Sequence, residues 1–223
     1  PKDLQGIYKK NGVNGCVAVQ ADQSEVETNF LLDLANENDF IKGVVGWIDF
    51  CAENIDERLE YYSGFPKLKG FRHIVQSEPD VNFMLGNKFQ YGLSGLEKYG
   101  FTYDILIFPP QLDAAFQTIK NFPNLKFVID HIAKPYIKKG ETPGWEKYMR
   151  EMAAHPNVYC KISGMVTEAD WKNWIYEDFT PWLDVVFDAF GADRIMFGSD
   201  WPVCLLGGSY EQIKGIVDQY LES

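Results

Sequence analysis

Apolar and β-branched residues gather in seven short runs along this chain, and between the runs apolar positions recur at helical spacing. The runs are Gly12 to Gln20 (GVNGCVAVQ), Lys42 to Phe50 (KGVVGWIDF), Leu68 to Gln76 (LKGFRHIVQ), Tyr103 to Pro109 (YDILIFP), Lys126 to Ala133 (KFVIDHIA), Val158 to Met165 (VYCKISGM) and Arg194 to Pro202 (RIMFGSDWP). They follow one another at roughly 25 to 35 residues, the length of one βα unit. Strands alternating with helices imply a parallel sheet with crossover helices. Several runs are almost continuously apolar, as expected where helices cover a barrel outside and side chains fill it inside. Three intervening segments predict amphipathic helices facing that barrel. Glu25 to Asn38 aligns Val26, Phe30, Leu31 and Leu34; Gly144 to His155 aligns Trp145, Tyr148, Met149 and Met152; Asp178 to Phe190 aligns Phe179, Trp182, Val186 and Phe190.

The fold class these elements predict is α/β, a (β/α)₈ TIM barrel spanning residues 1–223 as a single domain. Eight strands are needed and seven are visible. A helix, Asp3 to Lys10, precedes the first run, so the first strand is expected ahead of residue 1, and Ser209 to Ser223 reads as a last crossover helix without a clear end. An open seven-stranded sheet closed by a partner is the alternative, disfavoured because exposed edges invite mispairing.

Composition narrows the partners. With 21 Lys and Arg against 32 Asp and Glu, the net charge of −11 disfavours nucleic acid and anionic membrane surfaces. No apolar run reaches the length of a membrane span, and the first residues lack the pattern of a signal peptide. Cys16, Cys51, Cys160 and Cys204 are scattered, mostly in strand-like runs, and read as buried thiols of a cytoplasmic protein. A small-molecule ligand is the expected partner, and a homo-oligomer is compatible with it.

Polar residues at the carboxyl ends of barrel strands are the default catalytic candidates. The last run breaks from apolar residues into Gly198-Ser199-Asp200-Trp201-Pro202, placing a carboxylate where it could ligate a metal or deprotonate a water; an Asx turn is the bland alternative. His131 ends the fifth run and shares the expected rim with Asp200. Together they are half of a metal site, the remaining ligands being expected before residue 1. Asp130, its neighbour, should face the other way. Arg72 and His73 offer a guanidinium fork and an imidazole for a carboxylate or developing oxyanion. Lys161, mid-strand, either meets a buried carboxylate or serves the site. Trp47 and Trp201 could wall a sugar ring or lie in the core. His155 ends a helix and reads as a surface or capping residue.

The segments KGFRHIVQSEPD, YDILIFPPQL, FVIDHIAKP, VYCKISGM and above all FGSDWPVCLLGGSYEQ resemble the amidohydrolase-2 branch of the amidohydrolase superfamily, with the nearest likeness to its sugar lactonases. The resemblance covers essentially the whole chain. It implies a distorted barrel of metal-dependent hydrolase type and water addition to the carbonyl of a small sugar-acid lactone. By that likeness Asp200 is the general base and a metal ligand, His131 is catalytic and a metal ligand, and His73 is catalytic. The likeness also implies that Arg72, with His73, touches the substrate carbonyl or hydroxyls, while Trp47, Lys161 and Trp201 are expected as substrate contacts from their places along the strands alone. The branch's His-x-His pair has no counterpart among His73, His131 and His155. Branch members differ in their need for a divalent ion, so Zn²⁺ or Mn²⁺ is a candidate cofactor. Decarboxylation of a small aromatic or unsaturated acid, and a non-catalytic binding barrel, are the competing readings.

Overall fold

The computed structural model describes residues 2–222. Its sheet holds seven strands in chain order, β1 to β7. The backbone falls into two units, one running to Asp104 with Asn124–Lys126, the other holding Ile105–Pro123 and Phe127 onward.

The first unit begins with α1 (Lys2–Lys10) and continues through β1 (Cys16–Val19), α2 (Glu25–Glu37), β2 (Ile41–Gly46), α3 (Ile55–Ser63), β3 (Leu68–His73), α4 (Asn87–Ser94) and most of β4 (Thr102–Ile105). β1 pairs with β2, and β2 with β3, in parallel. Every predicted run overlaps its strand, β2 and β4 beginning one residue ahead of their runs, and each strand is shorter than its run because the polar ends of the runs turn away into loops. The unit's core is aromatic. Phe50 meets Phe71, Phe89 and Tyr103 edge-on at centroid separations of 6.2, 5.4 and 5.6 Å, the tilted geometry that ring quadrupoles favour.

α2 departs from expectation in its orientation. Thr28, Leu32 and Ala35 are its buried positions, whereas Val26 and Phe30 are 80% and 57% exposed. A polar anchor turns the helix. Thr28 Oγ1 accepts from the Trp47 amide and donates to the Trp47 carbonyl, both at 2.8 Å, and so seats its own face against the end of β2. Ser24 caps the helix, its Oγ accepting from the Glu27 amide at 3.2 Å.

The second unit contains α5 (Leu112–Asn121), β5 (Phe127–Ile129), α6 (Trp145–Ala153), β6 (Val158–Ile162), α7 (Met165–Glu168), α8 (Thr180–Phe190), β7 (Ile195–Phe197) and α9 (Tyr210–Glu222). β5, β6 and β7 are parallel neighbours, with Ile129 opposite Cys160 and Ile162 opposite Phe197, so the three strands end on one side. Here the helical stripes hold. Trp145, Met149 and Met152 of α6 are buried, as are Trp182, Val186 and Phe190 of α8 with Phe179 just before it, and Trp145 meets Trp182 edge-on at 5.0 Å. All four cysteines are free thiols, two buried and two half-buried. Among the described residues no helix is long and apolar enough to cross a membrane.

Candidate active site

Three strand ends of the second unit bring their polar residues together. After β5 the chain leaves extended geometry abruptly: His131, Ile132, Ala133 and Lys134 all have positive φ, from 48° to 55°. Left-handed backbone costs a residue with a side chain about 1–2 kcal/mol, and such conformations concentrate where the surroundings enforce a working geometry. The turn is held by the Lys134 amide donating to the His131 carbonyl at 2.8 Å and by the Trp145 indole donating to the Ile132 carbonyl at 2.7 Å. After β7, Asp200 also has a positive φ of 54°, ahead of a cis Trp201–Pro202 bond.

These turns aim two side chains at each other. His131 Nε2 lies 3.7 Å from Asp200 Oδ1, with the imidazole 10% and the carboxylate 19% exposed. The gap is too long for a direct hydrogen bond and suits one shared oxygen, at about 2.8 Å from each. On its other edge, His131 Nδ1 lies 2.8 Å from Ser163 Oγ, the residue that follows β6 and is 2% exposed. Gly164, with φ +60°, comes next because any Cβ there would stand 2.7 Å from His131 Cγ and Nδ1.

Asp130, the neighbour of His131, is part of a separate pair. It is fully buried and Lys161 Nζ lies 2.6 Å from its Oδ1, so of the two roles open to Lys161 the structure shows the buried ion pair. A further pair stands nearby in the chain: Lys134 Nζ is 3.6 Å from Glu168 Oε1 and 5.1 Å above the Phe108 ring. Burial raises the Glu168 carboxyl above its ordinary range, Lys134 opposing and Asp200 adding to the rise. Glu168 borders an open cavity of about 470 Å³, lined also by Lys138, Asp170 and Trp171. Trp201 is half-buried beside Asp200, and its amide donates to Ser199 Oγ at 3.3 Å.

The remaining candidates belong to the first unit. Arg72 directs its fork at buried Gln20, Nε donating to Oε1 at 3.2 Å and Nη2 at 2.9 Å, with the Gln20 carbonyl also accepting. His73 is buried in a chain of hydrogen bonds: the Trp47 indole donates to Nδ1 at 3.3 Å, and Nε2 lies 2.7 Å from Glu78 Oε1. An indole nitrogen only donates, so Nδ1 accepts and the ring proton sits on Nε2, given to Glu78. His73 also stacks on Phe83 at 4.8 Å. In the second unit, His155 lies half-buried against Phe116, its carbonyl accepting from Arg194.

Ser163, Glu168, Gln20 and Glu78 escaped sequence reasoning. Ser163 carried a signal, a small polar residue at a strand end followed by glycine, two positions beyond Lys161. As a cation site, His131 and Asp200 supply two donors, short of the three protein ligands of a catalytic zinc. Among the described residues no group of three His, Cys, Asp or Glu could hold a metal ion.

Comparison with known proteins gives the frame. The amidohydrolase family model matches residues 1–222. An L-fucono-1,5-lactonase of Burkholderia multivorans is 38% identical over 233 residues, spanning 100% of this chain and 78% of its own. One from Burkholderia ambifaria is 34% identical over 210 residues, spanning 94% and 72%. A crystal structure of a Burkholderia multivorans amidohydrolase with bound zinc superposes with a TM-score of 0.95 at 38% identity, over 100% of this chain and 80% of that one. With its strand order, its strand-end polar residues and these matches in agreement, the chain belongs to the amidohydrolase family.

Proposed function

We propose that this protein hydrolyses the lactone of a small sugar acid, opening the ring with water on a (β/α)₈ barrel frame. The observation that carries the reading is the 3.7 Å gap between His131 Nε2 and Asp200 Oδ1, at a rim where relatives with 34–38% identity are named L-fucono-1,5-lactonases. A carboxylate and an imidazole that cannot bond each other directly are placed to hold one oxygen between them.

In this mechanism a water in the gap gives its proton to Asp200 as its oxygen attacks the lactone carbonyl. The carbonyl oxygen becomes an oxyanion, and a hydrogen-bond donor beside it lowers the barrier most when aimed at the charged intermediate. His131 is that donor, its N–H passing from the water to the carbonyl oxygen as the water leaves the gap. Collapse breaks the bond to the ring oxygen, and Asp200 returns the proton to the departing alkoxide, leaving a hydroxy acid. Low exposure around both groups strengthens each electrostatic contact. Trp201, beside Asp200, offers a flat apolar face to a sugar ring. The Arg72 and His73 side chains serve by fixing the ends of β1, β2 and β3, through Gln20 and through Trp47 and Glu78.

The test is acid release from a panel of aldono-1,4- and 1,5-lactones, followed with a pH indicator, for the full-length protein and for Asp200→Asn. Acid release by the wild type and loss of turnover in a folded Asp200→Asn supports the mechanism. An inert wild type removes the lactonase reading, and an active Asp200→Asn removes Asp200 as the base.

A further inference from the structure

We infer that Ser163 is a positioning residue that holds His131 in its Nε2–H tautomer, so that the imidazole presents a proton, not a lone pair, to the gap it shares with Asp200. The inference deepens the lactonase reading and rests on it only for the identity of the oxygen that receives that proton.

The argument starts from a buried hydroxyl. Ser163 Oγ is 2.8 Å from His131 Nδ1, and the serine is 2% exposed. A hydroxyl has one proton to give, and on a side chain buried as deeply as Ser163 it goes to the acceptor within reach. That acceptor is Nδ1. The reverse arrangement, with Nδ1–H pointing at Oγ, would leave the hydroxyl proton buried without a partner. A neutral imidazole carries a single ring proton, so an accepting Nδ1 places it on Nε2, the atom 3.7 Å from Asp200 Oδ1.

The pair sits in a cradle of close-packed glycines. A Cβ on Gly198, just past β7, would meet Ser163 Cβ at 2.8 Å, and one on Gly164 would meet His131 Nδ1 at 2.7 Å. The left-handed turn at His131 supplies the third wall by fixing where the ring leaves the backbone. Three strand ends thus converge to hold one tautomer, in which His131 donates to the carbonyl oxygen as charge grows on it while Asp200 handles the proton of the water.

Nitrogen-15 spectra of the histidine rings in the full-length protein read the tautomer directly, with His131→Gln used to assign the signal. The expected result is an unprotonated Nδ1 and a protonated Nε2 in the wild type, and a mixed or inverted pattern in Ser163→Ala. In the lactone assay, Ser163→Ala should lower kcat about tenfold or more with little change in KM, the signature of a contact made in the transition state. A wild-type His131 protonated on Nδ1, or with Nε2 bound to zinc, overturns the inference, as does an unchanged tautomer in Ser163→Ala. Should Ser163→Ala fail to fold, the wild-type spectrum alone decides. A wild type inert toward every lactone would overturn the lactonase reading while the spectra still answered for Ser163.

Discussion

Replacing Lys161 with Met tests how much of the second unit depends on one buried charge pair. Asp130 is wholly enclosed and Lys161 Nζ sits 2.6 Å from its carboxylate, with the lysine only 15% exposed. Removing the ammonium leaves a carboxylate buried without its cation, a change that costs about 3–5 kcal/mol. The slight exposure of Lys161 admits some water and puts the value near the lower end. In a chain of this length each kcal/mol moves Tm by roughly 2–4 °C, so a fall of about 6–12 °C is expected for a loss of about 3 kcal/mol. Urea unfolding of Lys161→Met, Asp130→Asn and the double variant completes a thermodynamic cycle. The double variant should recover most of the loss, because an uncharged amide is far cheaper to bury than a carboxylate stripped of its cation. A Lys161→Met variant that loses less than about 1 kcal/mol would refute the reasoning, since exposed pairs contribute that little. A variant that folded normally but lost turnover would instead return Lys161 to substrate binding.

Two further outcomes follow from the site. Gly164→Ala should lower stability by at least about 1–2 kcal/mol, from the left-handed φ alone, and should also depress turnover by displacing the His131 ring; thermal unfolding beside the lactone assay checks both. Glu168 has a pH signature. Its folded carboxyl holds a proton that the unfolded chain has already released, so the folded state binds more protons and stability falls as pH rises through the raised value. The Tm of the wild type relative to Glu168→Gln should therefore drop as pH climbs from the ordinary carboxylate range toward neutrality, and a flat or rising difference would show that burial does not dominate at this residue.

The alternation of strands and helices was legible because burial on both faces of a parallel sheet writes itself as long apolar runs. α6 and α8 were legible for a related reason, since their wide apolar stripes leave a single face to bury. α2 was not. Its orientation is decided by Thr28, a polar residue whose hydroxyl bonds the Trp47 backbone, and a count of apolar positions gives that contact no weight. At the site, Asp200 and His131 stood out because polar groups interrupting a run at a strand end have few structural uses. The partners around them did not stand out. Ser163 reaches His131 across 32 residues, and Arg72 reaches Gln20 across 52, distances over which no local period survives. The left-handed turn that brings Lys134 round to Glu168 is equally silent in the sequence, because Ile132, Ala133 and Lys134 are not residues that favour such a backbone.

That turn sets stability and catalytic order against each other. Glycine at Ala133, where only a methyl would be lost, would relax the backbone and, by that measure alone, make a sturdier protein. The same change would widen the set of directions from which the imidazole leaves the chain, and a donor that wanders must be reordered at every turnover. Selection for heat resistance and selection for rate would therefore push this position toward different residues.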